Sequence, residues 1–271
     1  NRDDRLSRGH GDVYKRQALL EHVEDYTLRE LDLRNEINGA SRLSTIKEDL
    51  SSDFPMPRLR FPVYYPDLSN RHVLVSEFVK GQTLEQGIES SSLEWEDLLE
   101  LFRIHGAFMF GIGTFHGDLH PGNCIMDPDG NFVFIDNGAI CEAPRKVSRS
   151  LFNFFYHLSA DDKDLAFESL ISLAERRPRS DEVNQFKKDM HLIYNDFENL
   201  SVGQQSLTEV MMKTVRSAVE NAGADYGEEG FPIIRSLMYM DGLVIRTYPG
   251  VKLIPEMRAS LDEFKSGLDL E

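Results

Sequence analysis

The sequence predicts an α+β fold in which a short portion, one helix followed by a β-hairpin, leads into a long and mostly helical one. Three observations predict it. Apolar residues recur at helical spacing from Ala18 to about Ile46; two short apolar runs, Val63-Tyr64-Tyr65 and Val73-Leu74-Val75, flank the turn-like Pro66-Asp67-Leu68-Ser69-Asn70; and helical periodicity returns at Leu93 and dominates from Pro144 to Phe264. The 271 residues are 41% apolar, 28% charged and 10% aromatic, which excludes a disordered or collagen-like chain and supplies a core that needs no staples.

Residues 1–17 carry five basic and three acidic side chains without apolar periodicity, so they have no core to join. The string ending Gly11-Asp12-Val13-Tyr14-Lys15-Arg16-Gln17 also resembles translated adaptor sequence, and this leader is predicted to be non-native or disordered. The helix that follows buries Leu19, Val23, Tyr26 and Leu31 on one face, with Gly39 and Ser41 as points of interruption. Pro55, Pro57 and Pro62 mark an extended connector, and the hairpin completes a first unit, residues 18–80. The second unit, residues 81–271, holds a short crossing segment and a helix from about Leu93 to Ile112. Helical segments then follow, separated by Pro178, the Gly203 region, Gly223 to Gly230 and Pro249-Gly250.

Acidic residues number 46 against 30 basic ones, a formal net charge of −16. Such a surface repels phosphate backbones, so no nucleic-acid partner is expected, and a bound nucleotide would need a metal to mediate. The two cysteines, Cys124 and Cys141, lie among apolar residues with no C-x-x-C spacing, which predicts buried thiols in a reducing compartment. Every apolar run is far shorter than the roughly 18 to 20 residues a bilayer requires, and no signal peptide is recognisable. The prediction is a cytoplasmic protein.

Chemistry concentrates in His116-Gly117-Asp118-Leu119-His120-Pro121-Gly122-Asn123 and in the stretch from Cys124 to Gly138. Asp129-Gly130 is a favoured two-residue hairpin loop, and counting outward pairs Pro128 with Asn131, Met126 with Val133, Cys124 with Ile135, and Asn123 with Asp136. An amide oxygen beside a carboxylate offers two hard ligands to one cation and leaves coordination for water or phosphate, the arrangement of a Mg²⁺–nucleotide site. Asp118, five residues before Asn123, enters the hairpin where a carboxylate can take or orient a hydroxyl proton without competing for metal. His116 is expected to be a structural hydrogen-bonding residue, His120 a donor to phosphate when protonated, and Asp127-Pro128-Asp129-Gly130 a simple turn, because it lacks the spaced ligands of a calcium loop.

An Asp, an Asn five residues on, and then Asp-x-Gly reproduce the catalytic-loop and metal-loop spacing of protein-kinase-like phosphotransferases. The predicted architecture is therefore a protein-kinase-like fold with an incomplete N-lobe, one helix plus a β-hairpin, and a complete, mostly helical C-lobe.

At these residues the sequence resembles the UbiB/AarF family of atypical kinases, linked to ubiquinone biosynthesis. Glu30-Leu31-Asp32-Leu33-Arg34-Asn35-Glu36 is similar to that family's E-x-D motif and the glutamate that follows it. Arg71 to Gly81 is similar to its last N-lobe strand and hinge, and Gly242 to Leu253 weakly to its closing segment. The resemblance runs from Ala18 to about Phe264. It implies ATP and Mg²⁺ as cofactors, Asp118 as the catalytic aspartate, Asn123 and Asp136 as metal ligands, and Glu36 as partner of a nucleotide-binding lysine. Glu77 and Val79 are implied to offer hinge backbone groups to adenine, and Glu30 and Asp32 to take part in nucleotide handling. Read without the resemblance, Glu30, Asp32 and Glu36 are the solvated face of a helix.

Two departures stand out. Asn137 occupies a position where many relatives have Phe, and nothing before Glu36 is similar to the K-x-G-Q motif, the alanine-rich loop or the strand lysine; Lys15 lies in the leader. The chain is thus expected to be N-terminally truncated and, lacking contacts to the α- and β-phosphates each worth about 1.5 to 3 kcal/mol, weakly active or inactive by itself. The implied function is an ATPase or a kinase of a lipid or quinone precursor, supporting isoprenoid-quinone biosynthesis, with peripheral membrane contact. Two alternatives are an aminoglycoside- or choline-kinase-like phosphotransferase, which shares the His116 to Asn123 stretch, and a silent kinase-like scaffold.

Overall fold

The computed structural model describes residues 31–174 and 176–270, apart from the side chains of residues 227–229. The leader, Glu30 and the start of the first predicted helix lie outside the described residues. Residues 31–33 are not helical and Leu31 is exposed, so within the described residues the predicted helix is realised as α1 (Arg34–Asp49). Asp32 starts it by accepting from the Arg34 backbone N–H at 3.2 Å, and Leu43, Ala40 and Gly39 form the buried stripe together with Glu36. The helix runs without a break through Gly39 and Ser41. Gly39 is required by close approach, since a Cβ there would stand 1.9 Å from the carbonyl oxygen of Asn137.

The predicted hairpin between Val63 and Ser76 closes as an irregular ribbon. Tyr65 N–H donates to Val75 at 3.0 Å and Glu77 N–H to Val63 at 2.7 Å, but pairing is confined to the isolated bridges Tyr64–Ser76 and Asn70–Val73, with a 3₁₀ turn at Pro66–Leu68. Val63, Tyr65 and Val73 stay exposed, so neither face is packed enough to make the ladder regular. Within the proline-rich connector lies a strand missed by the sequence pattern, β1 (Leu59–Arg60). The crossing segment likewise contains β2 (Gln82–Thr83) and the short helix α2 (Leu84–Glu89), started by a Thr83–Gln86 capping box.

Helix α3 (Trp95–Gly106) continues as a π-helical stretch, Ala107–Ile112, so that the predicted helix from Leu93 to Ile112 is realised in two geometries. Strand β3 (Thr114–His116) then enters the catalytic stretch and pairs antiparallel with β6 (Ile140–Glu142). Strands β4 (Cys124–Met126) and β5 (Phe132–Phe134) form the predicted hairpin and lie at the centre of a four-stranded sheet ordered β1-β5-β4-β2.

The hairpin's register differs by one from the counted one: Cys124 pairs with Phe134 and Met126 with Phe132. The loop has three residues, Pro128-Asp129-Gly130, closed where Asp127 N–H donates to Asn131 at 2.9 Å. Two causes favour it over the two-residue loop. Gly130 adopts φ +81°, the left-handed position of a three-residue hairpin, and the Asp127 Oδ1 accepts from the backbone N–H groups of Asp129 and Asn131 at 3.0 and 2.8 Å.

The remaining helices are α4 (Arg145–Ser159), α5 (Lys163–Ile171), α6 (Ser180–Ile193), α7 (Leu207–Ala222), α8 (Gly227–Thr247) and α9 (Leu253–Gly267). Breaks between them fall where the sequence predicts, at Pro178, the Gly203 region, the Gly223 region and Pro249-Gly250, but the break between α4 and α5 at residues 160–162 is not among those predicted. Phenylalanines dominate the core they share: Phe110 lies 6.2 Å from Phe152 and from Phe155, and 6.3 Å from Phe264, ring centre to ring centre. Each fully buried ring contributes about 1.5 to 3 kcal/mol by leaving water. Both cysteines are free; Cys124 is buried, Cys141 partly so, and burial raises both thiols. Among the described residues no helix is long and apolar enough to cross a membrane.

Candidate active site

Strand β3 delivers His116, which is buried and acts as the expected structural residue. Its Nδ1 accepts from the Asp118 N–H at 3.2 Å, which leaves the proton on Nε2 to donate to the Ile135 carbonyl at 2.9 Å. Burial lowers its pKa, so this neutral tautomer persists. The Asp118 loop and the start of the Asp136 loop are thereby tied through one imidazole.

Asn123 makes the second tie. Its Nδ2 donates to the Asp118 carbonyl at 3.0 Å and to Asp136 Oδ2 at 3.2 Å. In the observed register Asn123 pairs with Ile135, whose N–H donates to it at 3.0 Å. Asp136 reaches Asn123 as the next residue because its backbone turns into the left-handed region, φ +58°. The expected neighbours therefore meet, by a route the count did not anticipate. Asp136 is exposed and Asn123 buried.

These groups fit a hard divalent cation. Both donations by Asn123 use its nitrogen, so the amide oxygen and the second oxygen of Asp136 remain for a ligand, and an amide–carboxylate pair suits Mg²⁺ rather than a metal that seeks sulfur or imidazole. Among the described residues no cluster of three or more His, Cys, Asp or Glu gathers for a metal, so such a cation would complete its shell from water or phosphate.

Glu36 is only 7% exposed and is no solvated helix residue. Its Oε1 accepts from the Tyr64 hydroxyl at 2.5 Å and from Asn137 Nδ2 at 3.2 Å, and its Oε2 from the Gly138 N–H at 2.9 Å. Burial and the Glu36 carboxylate both push the Tyr64 phenol up, keeping it a donor. Asp32 stays apart from this network: the Arg34 side chain bonds it and holds its carboxyl at about 2.

Just after the ribbon, Glu77 spends its carboxylate on the fold. One oxygen accepts from Arg60 at 2.7 Å and the other from the Val63 N–H at 2.8 Å; these contacts, the backbone one foremost, lower its pKa. Arg60 also reaches Asp127 at 3.1 Å, joining the segment at Glu77 to the hairpin turn. Val79 is half-buried in the extended stretch before β2.

His120 accepts from the Gly122 N–H at Nδ1, 3.0 Å away, so its neutral form carries the proton on Nε2 and can donate from there without further protonation. Two neighbours carried no signal in the sequence. From α8, Tyr239 donates its hydroxyl to Asp118 Oδ1 at 2.8 Å, and Arg235 donates to the Gly117 carbonyl. Spaced four apart, they share one helix face toward the Asp118 loop.

The match to known proteins agrees with this geometry. The chain matches the ABC1 atypical kinase-like domain over residues 7–170, more than half its length and beginning within the leader. It is 26% identical over 247 residues to "Protein ACTIVITY OF BC1 COMPLEX KINASE 3, chloroplastic" of Arabidopsis thaliana, covering 88% of this chain and 33% of that protein. It is 25% identical over 269 residues to "Probable protein kinase UbiB" of Aliivibrio fischeri strain MJ11, covering 92% of this chain and 46% of that one. The chain thus spans less than half the length of either relative. A solved structure, the Rv3197–erythromycin complex from Mycobacterium tuberculosis, is similar with a TM-score of 0.47 and 18% identity, over 86% of this chain and 62% of that one. The motif spacing, the α+β architecture and the domain match together mean that the chain belongs to the ABC1 atypical kinase-like family.

Proposed function

We propose that the protein is an ATP- and Mg²⁺-dependent atypical kinase or ATPase similar to UbiB, acting on a lipid or quinone precursor in support of isoprenoid-quinone biosynthesis at the cytoplasmic face of a membrane. The observation that carries the reading is the Asn123–Asp136 contact at 3.2 Å, made by the same amide that holds the Asp118 loop at 3.0 Å. One side chain so ties the backbone of the Asp118 loop to the Asp136 carboxylate.

In this reading Asn123 and Asp136 hold Mg²⁺, which when bound neutralises charge on the phosphate oxygens. Asp118 orients the attacking hydroxyl or water and takes its proton at a carboxylate oxygen; Oδ1 is engaged by Tyr239. His120 donates from Nε2 to a phosphate oxygen. The backbone of Glu77 and Val79 faces adenine, consistent with a Glu77 side chain fully engaged elsewhere. Asp32 and Glu30 are assigned to nucleotide handling by family resemblance.

Asp136→Asn in the full-length protein should lower Mg²⁺-dependent ATP hydrolysis by at least about a hundredfold, the scale of losing one pre-set electrostatic contact. Unchanged hydrolysis would remove Asp136 from the mechanism.

A further inference from the structure

Asp136 holds a left-handed backbone, φ +58°, a region uncommon for non-glycine residues though Asp enters it more readily than most, and its surroundings can hold it there. The surroundings here can be named. Two residues before Asp136, the Phe134 carbonyl accepts from Asn137 Nδ2 at 2.9 Å. Two residues after it, the Gly138 N–H donates to Glu36 at 2.9 Å. The turn is therefore held on both sides, and the two holds are joined, because Asn137 Nδ2 also reaches Glu36 at 3.2 Å and the Tyr64 oxygen at 3.3 Å.

Three separate parts of the chain supply this cluster: α1 through Glu36, the ribbon through Tyr64 and the loop through Asn137, which is fully buried. Gly39, one turn along α1, lets the helix backbone rest on the Asn137 carbonyl. A buried carboxylate is stable only with donors to replace its water, and those of Glu36 come from the Asn137-Gly138 backbone and side chain together with Tyr64.

We propose that Glu36, Tyr64 and Asn137 form a clamp that fixes the left-handed turn at Asp136, making Tyr64 and Asn137 positioning residues for the carboxylate that meets the cation. This rests on the reading of Asp136 as a metal ligand. In the clamped state both oxygens of Glu36 serve the loop, so a cation seeking Glu36 competes with the contacts that hold Asp136.

The test uses Tyr64→Phe and Asn137→Leu in the full-length protein, with Tyr65→Phe on the exposed side of the ribbon as control. Two quantities are read: exchange of the Gly138 amide in ¹⁵N-glycine-labelled protein, and binding of Mn²⁺ with a non-hydrolysable ATP analogue followed by electron paramagnetic resonance. Loss of one buried hydrogen bond should speed Gly138 exchange and weaken Mn²⁺ binding by about tenfold each in Tyr64→Phe, and by more in Asn137→Leu, with Tyr65→Phe unchanged. Unchanged Gly138 exchange in both variants overturns the clamp. Faster exchange with unaltered Mn²⁺ affinity overturns the positioning role. Should Asp136→Asn itself leave Mn²⁺ affinity intact, the metal reading falls, while the exchange data still decide the clamp.

Discussion

Two hairpins flank the site, and they differ in kind. The one at 124–134 forms regular strands with Cys124, Phe132, Val133 and Phe134 wholly buried, whereas the ribbon at 63–76 leaves Val63, Tyr65 and Val73 exposed and pairs only at isolated bridges. Both begin from similar short apolar runs beside a turn. The difference lies in what covers them: β1 and β2 flank the first on either side and the α3–π helical core lies beneath it, while the ribbon holds its place through polar side chains. Apolar burial gives a rigid platform suited to ligands at fixed distances. Polar anchoring gives a support that tunes neighbours, as Tyr64 does for Glu36.

The comparison breaks most sharply in the core. Phe134 packs edge-on against Phe61, His105 and His116 at 6.2, 6.5 and 6.0 Å, so Phe134→Ala should cost about 3 to 5 kcal/mol in urea unfolding, against within about 0.5 kcal/mol for Val73→Ala. Equal costs would mean that the ribbon is packed as firmly as the hairpin. A smaller effect is expected at the turn, where Gly130→Ala places a side chain at φ +81° and should cost about 1 to 2 kcal/mol; no loss would argue against the left-handed conformation at Gly130.

The smallest effect sharpens the link between the two hairpins. Glu77 and Asp127 both sit on Arg60; the Val63 N–H foremost lowers the first, and in the second burial, the largest single influence, raises the pKa but is outweighed by the hydrogen bonds from Asn131, Arg60 and the Asp129 N–H together. Their folded pKa values are depressed, so their stabilisation is present above the ordinary carboxylate range near about 4 and fades as pH falls through the folded values. Urea midpoints should therefore drop in acid, and drop less steeply in Arg60→Met. Parallel slopes would show that the pair contributes nothing.

Much of the site was legible because it is local. Asp118, Asn123 and Asp136 lie beside one hairpin, close in sequence, and the contact of Asn123 with Asp136 survives a register difference, since the left-handed turn at Asp136 restores by one residue what the longer loop removes. The register differs because the Asp127 carboxylate favours a three-residue loop over the two-residue turn that Asp129-Gly130 predicts. Strands β1, β2, β3 and β6 went unread because two or three residues carry no period.

By itself the sequence determined the α+β class, the order of helices and the chemical identities along the catalytic stretch, all of which follow from periodicity, turn residues and short spacing. Only the tertiary structure decided that Glu36 is buried, that Asn137 and Tyr64 bind it, and that Tyr239 caps Asp118. Those bonds join residues 28, 101 and 121 positions apart, and hydrogen bonds across such separations leave no local pattern, because they depend on which helix faces pack together after the core has formed.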